Sequence, residues 1–105
     1  MIEEAQLAEF NRFLGILSGV DESGSSLLDN TTVLFGSNLG NASSHNCTNL
    51  PIIVAGGGFR HGKHIAHDSK SNTPLSNLFV SFAQRMGIES DSFGSSSAAG
   101  VNGFE

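Results

Sequence analysis

Two short apolar runs, each followed at once by a loop rich in Gly, Asn and Ser, constrain this chain more than any other feature. The runs are Thr32–Phe35 and Ile52–Ala55. Near-continuous apolar runs of this length are typical of parallel strands that are buried on both faces. Ligands of open α/β sheets bind beyond the carboxyl ends of such strands, so we expect a site on the loops Ser37–His45 and Gly56–His64.

Two amphipathic helices are predicted to flank these strands. Apolar residues recur at helical spacing across residues 2–18, and Glu3 and Glu4 stand in the first turn, where acidic groups favour the helix dipole. Thr73-Pro74 supplies an N-cap and a first helical position for a second helix, 74–86. The apolar face of that helix is predicted to comprise Leu75, Leu78, Phe79, Phe82, Ala83 and Met86.

The remaining segments predict a partial α/β domain over residues 1–94 and a flexible Gly/Ser-rich tail over residues 95–105. Residues 21–26 are expected to form a turn or short linker, and residues 59–67 a short hairpin. Two helices and so few strands do not complete a sheet that is covered on both faces. The chain is therefore interpreted as the C-terminal portion of a larger α/β domain, with a small independent domain or an obligate oligomer as the alternative.

Charge and composition argue against several classes of function. Five basic residues against ten acidic ones give a net charge of -5, and the basic residues form no cluster that could neutralise a run of phosphates. We therefore expect no nucleic-acid partner. The apolar runs are far shorter than the ~20 residues of a membrane-spanning helix. Cys47 is the only cysteine, so no internal disulfide can form, and it is interpreted as a small buried residue rather than a reactive thiol.

The order of motifs along the chain resembles a known bacterial family. LLDNTTVLFGSNLGN is followed by His45, by NLPIIVAGGG and by NTPLSNLFVSFAQRMGIESDSFG. Together these segments resemble the C-terminal end of the family catalogued as domain of unknown function 1552, over about Leu7 to Gly94. Members of that family are several times longer than this chain and often exported. The resemblance thus implies a fragment of a periplasmic or secreted protein.

That family is itself distantly similar to the alkaline phosphatase and sulfatase superfamily. The resemblance implies a C-terminal piece of a three-layer α/β/α domain with short, largely parallel strands and amphipathic helices. Superfamily members bind catalytic metal through an Asp and a His after a strand matching Thr32–Gly40. Here Asn38 stands at the position of the Asp and Leu39 at that of the His. The resemblance leaves His45 as the one residue here that corresponds to a metal ligand, a His that follows later in superfamily members. It also implies that a divalent metal is bound by the longer protein.

The candidate ligand-binding residues are Ser37, Asn38, His45, Gly57 and Gly58. In the functional interpretation the Ser and Asn side chains bond a substrate oxyanion, and the glycines present backbone N–H groups to a phosphate or sulfate. In the structural interpretation the same residues form turns, and His45 bonds a neighbouring carbonyl. Both interpretations stay open.

A second group of histidines, His61, His64 and His67, recurs at every third residue. On a strand this spacing sends successive side chains to opposite faces, so at most two of the three could share a metal. We expect no built metal site in this segment.

Two functions are consistent with the sequence. The chain is a non-catalytic piece that binds a ligand or a partner, or it is part of a metal-dependent hydrolase of phosphate or sulfate esters whose nucleophile and other ligands lie elsewhere. The expected partners are the rest of a longer chain of its own or another copy, because the apolar faces of a fragment are exposed.

Overall fold

The computed structural model describes residues 2–41, 43–101 and 104, and the chain divides into two compact units, Met1–Gly58 and Phe59–Glu105. The first unit contains α1 (Ile2–Ser18), β1 (Asp21–Glu22), β2 (Ser25–Ser26), β3 (Thr32–Gly36) and β4 (Ile52–Gly56), and the second contains α2 (Leu75–Arg85). Both predicted helices and both predicted longer strands are confirmed, each to within one residue at either end.

One stripe of α1 faces inward in the first unit. Phe10, Leu14 and Leu17 lie one turn apart on this stripe, and the ring of Phe10 stacks on that of Phe35 with 4.7 Å between centroids. Phe13 follows the same helical spacing, one turn before Leu17, but it is 48% exposed. It therefore lies at the edge of this stripe, where the first unit does not cover it.

Residues 21–26 form a hairpin where a turn or linker was expected. Asp21 pairs with Ser26 and Glu22 with Ser25. The two residues between the strands, Ser23 and Gly24, both have positive φ, 54° and 94°. Positive φ at both positions is what a two-residue type I′ turn requires, and this turn matches the twist of antiparallel strands.

The β3–β4 pair is antiparallel, which overturns the predicted fold class. Thr32 lies opposite Gly56, Leu34 opposite Val54, and Gly36 opposite Ile52. In the described residues this pair and the β1–β2 hairpin are two separate two-stranded antiparallel sheets, which with the two helices make a small mixed α/β structure. The expected three-layer α/β/α piece with largely parallel strands, as in alkaline phosphatases, is therefore wrong.

The connection between β3 and β4 explains this pairing. Parallel neighbours need a crossover that returns the chain to the starting end of the sheet, usually through a helix. Residues 37–51 contain Gly, Asn and Ser without helical periodicity, and the described part of this connection, 37–41 and 43–51, contains no helix. The apolar runs suggested parallel strands because both of their faces are apolar. In strands of only five residues, that pattern does not distinguish the two pairings.

Gly56, at the end of β4, is expected to be the most sensitive glycine of the first unit. Its φ is +73°, and a Cβ at this position would collide with the backbone carbonyl oxygens of Thr31 and Leu28. We predict that Gly56→Ala lowers the free energy of unfolding by about 2–3 kcal/mol, since backbone strain and a steric shift add together.

Gly24→Ala is the matched control, because Gly24 also has positive φ, +94°, but has open space where the Cβ would lie. Gly24→Ala should lower the free energy of unfolding by only about 1 kcal/mol. Urea unfolding followed by circular dichroism compares the two variants. Equal losses of stability in the two variants would show that the carbonyl oxygens of Thr31 and Leu28 do not approach Gly56 closely.

The second unit begins with an irregular segment. Residues 59–74 contain no strand, so the hairpin predicted over 59–67 is wrong. Pro74 occupies the N-cap position of α2 with φ −59° and ψ 137°, and no side chain caps the helix. Thr73, the predicted N-cap, instead places its Oγ 2.9 Å from Nδ1 of His67.

The buried side of α2 differs from the apolar face that the sequence predicted. Val80 is fully buried and Leu78 is buried, but so are two polar residues, Asn77 and Ser81, at 2% and 1% exposure. Met86, assigned to the apolar face, is 77% exposed. The helix is buried on its polar side because residues 97–101 lie there, bonded to Asn77 and Ser81.

Candidate functional site

The antiparallel register distributes the predicted site residues between the two ends of one hairpin. Ser37, Asn38 and His45 follow Gly36, which lies opposite Ile52, whereas Gly57 and Gly58 follow Gly56, which lies opposite Thr32. Four residue steps along a strand separate these ends by about 13 Å. The structure thus does not bring the two groups together at one sheet edge.

Ser37 uses its hydroxyl within its own loop. Its Oγ accepts a hydrogen bond from the backbone N–H of Leu39 at 3.1 Å and donates to the carbonyl of Leu39 at 3.0 Å. This is a local turn, the ordinary use of Ser in a loop. Asn38 beside it is exposed.

His45 ends a tight turn between Asn41 and Asn46. These two residues form an antiparallel bridge, and the side-chain oxygen of Asn41 accepts hydrogen bonds from the N–H groups of Ser43 and Ser44 at 3.0 and 3.3 Å. His45 has φ +52° and is exposed. Its backbone conformation serves to close the turn.

The residues after the turn are also bonded locally. The side-chain oxygen of Asn46 accepts hydrogen bonds from the N–H and the hydroxyl of Thr48, at 2.9 and 2.7 Å. The Sγ of Cys47 donates to the carbonyl oxygen of His45 at 3.9 Å and not to its imidazole. Cys47 is exposed, so its interpretation as a buried residue is wrong.

The glycines after β4 close the first unit onto the segment that precedes β3. Gly57 and Gly58 have φ of 69° and 74°, and the N–H of Gly57 donates to the carbonyl of Leu28 at 3.1 Å. This N–H therefore has an internal acceptor in the structure.

The titratable side chains are dispersed. Among residues 2–41, 43–101 and 104, no three His, Cys, Asp or Glu side chains are grouped so that they could share a metal ion. His61 packs its ring edge-on to Phe59 and Phe104, and His67 lies against the hydroxyl of Thr73. A divalent metal bound by His45 together with residues of a longer protein stays a prediction.

A shallow depression in the second unit is lined by Phe59, Ser81, Gln84 and Arg85. The guanidinium carbon of Arg85 lies 4.8 Å from the centre of the Phe59 ring, and the amide of Gln84 donates to the carbonyl of Ser90 at 3.0 Å. Ser81 Oγ accepts from the N–H of Val101. None of these residues was predicted from the sequence to belong to a site. The separation of Asn77 and Ser81 by one helical turn is the one sequence signal that indicates a polar stripe on α2.

In the part of the chain that the structure describes, neither helix has the length and apolarity that crossing a membrane requires. Comparison of the chain with protein-family models, with curated proteins and with solved structures finds no match. The resemblance to domain of unknown function 1552, and with it the periplasmic or secreted location, stays a prediction.

Proposed function

We propose that this chain acts by non-covalent association with another polypeptide, as a binding or structural element without catalysis of its own. One observation carries this proposal. Among the described residues of the first unit, Leu17 is the only one that is buried, at 9% exposure. The same unit exposes seven large apolar side chains to water, a property of surfaces that other proteins cover.

The exposed apolar residues occur on two elements of the first unit. On α1 they include Phe13 and Ile16, which are one turn apart, and on the hairpin they are Leu34 of β3 and Ile53 of β4. Leu34 and Ile53 stand on opposite faces of the hairpin, since Leu34 pairs with Val54 and Ile53 with Phe35. Among the described residues neither two-stranded sheet has a third strand, and unpaired strand edges are a further route to pairing with another chain.

The local bonding of the loop residues supports a role without catalysis. The hydroxyl of Ser37 and the side chains of Asn41 and Asn46 are engaged within their own turns. Catalytic nucleophiles need a base within hydrogen-bond reach, and the partner of Ser37 Oγ is the backbone of Leu39.

When the purified chain is alone in solution, its proposed partner is a second copy of the chain. Sedimentation equilibrium over a wide concentration range tests this. We expect the average mass to rise above that of the monomer with concentration. Phe13→Lys with Ile16→Lys should weaken association at least about thirtyfold, since burying the exposed half of each side chain is worth about 1 kcal/mol and either copy can contribute both.

Asn11→Lys with Ser18→Lys is the matched control, because both residues are exposed on the opposite face of α1 and the change in charge is the same. The control should associate like the original chain. A monomer at every concentration would contradict the proposal. So would equal weakening in both double variants, because charge rather than apolar contact would then decide association.

A further inference from the structure

Residues 97–101 attach to α2 through hydrogen bonds between their backbone amides and side chains of the helix. The side-chain oxygen of Asn77 accepts from the N–H groups of Ser97 and Ala98 at 2.8 and 3.4 Å, and its amide donates to Ser97 Oγ at 3.3 Å. One turn further along, Ser81 Oγ accepts from the N–H of Val101 at 3.3 Å. Two polar residues of one helix face thus hold three backbone amides.

Phe104 makes the apolar part of the same attachment. Its ring stacks on Phe59 with 4.3 Å between centroids and lies 6.3 Å from Phe82, and it is only 7% exposed. Its carbonyl accepts from the N–H of Arg60 at 3.1 Å. Phe104 therefore fills an aromatic recess.

The connection back to α2 is built from turns. Gly87, with φ +85°, follows the C-cap of α2. The chain then turns at Gly94, with φ +56°. Gly100, within the attached segment, has φ +126°, which favours Gly. Small residues thus set the spacing between the points at which the segment contacts α2, and one aromatic ring follows them.

The polar part of the face under this segment tolerates being uncovered, whereas the ring of Phe59 loses its contact with Phe104. Asn77 and Ser81 are polar, so water can satisfy them when the segment leaves, unlike the partners of a wholly apolar contact. Segments held by few contacts open at a lower free energy than the whole protein.

We propose that residues 97–101 together with Phe104 are a latch and that the face they cover, formed by Asn77, Ser81 and Phe59, is a peptide-binding site. Its ligand is a bent segment of small residues with an aromatic side chain three residues after the last bonded amide. In the closed state the latch fills the site, and the same segment supplied as a separate peptide takes its place when the latch is weakened. The inference is independent of the association proposed for the first unit.

The test uses the full chain carrying Phe104→Ala, with its own latch weakened, and a synthetic peptide of residues 95–105. Binding is followed by nuclear magnetic resonance at the amides of Asn77, Ser81 and Arg60. We expect saturable binding, weakened about tenfold or more when the peptide carries Phe104→Ala, because a buried aromatic ring is lost. The unaltered chain should bind the peptide at least about tenfold more weakly, because its own latch competes at high effective concentration.

No binding, equal binding of both peptides, or equal binding by both chains would overturn the proposal. If the Phe104→Ala chain does not fold, the proposal is tested by amide exchange in a chain that carries Ser81→Ala as its single substitution. Ser81→Ala should then speed exchange at Val101 and leave exchange at Ser97 unchanged. Unchanged exchange at Val101 would overturn the proposal.

Discussion

Val80→Asp is expected to unfold the second unit. Val80 is fully buried in the middle of α2, and a carboxylate placed there without a partner costs several kcal/mol. Net stabilities run at roughly 0.05–0.15 kcal/mol per residue, so a unit of this length has about 2–7 kcal/mol to lose. The helical circular dichroism of α2 should disappear, and the amides of residues 75–85 should exchange at the rate of an unfolded chain.

Two controls separate burial from charge. Val80→Ala should cost only about 1–2 kcal/mol, because it removes two methyl groups and leaves a small cavity. Met86→Asp, at a residue 77% exposed just beyond α2, should change stability by less than about 0.5 kcal/mol. A folded Val80→Asp chain would show that Val80 is accessible to water in solution.

Asn77→Ala is expected to cost about 2–3 kcal/mol, a large loss for a polar residue. The side chain makes three hydrogen bonds to Ser97 and Ala98, and its removal either leaves two backbone amides without an acceptor or releases the segment. Urea unfolding measures the loss, and amide exchange at Ser97 and Ala98 should accelerate more than at any residue of α1.

Ser76→Ala is the control for this variant. Ser76 precedes Asn77 on α2, and the structure gives its hydroxyl a long contact of 3.3 Å to the hydroxyl of Ser95. Its loss should stay within about 0.5 kcal/mol. Equal effects of the two substitutions would remove the special role assigned to Asn77.

Helices were predictable from the sequence because their periodicity and their boundaries depend on local features. The apolar spacing across residues 2–18 and the Pro74 start of α2 are both observed, although the N-cap falls on Pro74 rather than Thr73. Which face is buried was less predictable. Asn77 and Ser81 are buried because a segment about 20 residues away bonds them, and periodicity contains no information about such a partner.

The candidate site was less predictable still, because it depended on how β3 and β4 pair. The existence and bounds of both strands followed from their apolar runs, but the direction of pairing follows from the connection between them. Antiparallel pairing places Ser37 and Gly57 at opposite ends of the hairpin. His45 and Asn46 were identifiable as loop residues, but their turn geometry appears only in the structure.

The antiparallel pairing of β3 and β4 decides where the candidate site residues lie, and methyl nuclear Overhauser effects can establish it. Val33 lies opposite Ala55, and Phe35 opposite Ile53. Side chains opposite each other in such a pair have Cβ atoms about 4.5–5.5 Å apart, well within the range of the effect. We predict strong cross-peaks between the methyl groups of Val33 and Ala55 and between the Phe35 ring and Ile53. A cross-peak between the methyl groups of Thr32 and Ile52, which lie about 13 Å apart at opposite ends of the antiparallel pair, would instead show a parallel pair, and would bring the two loops back to one end of the sheet.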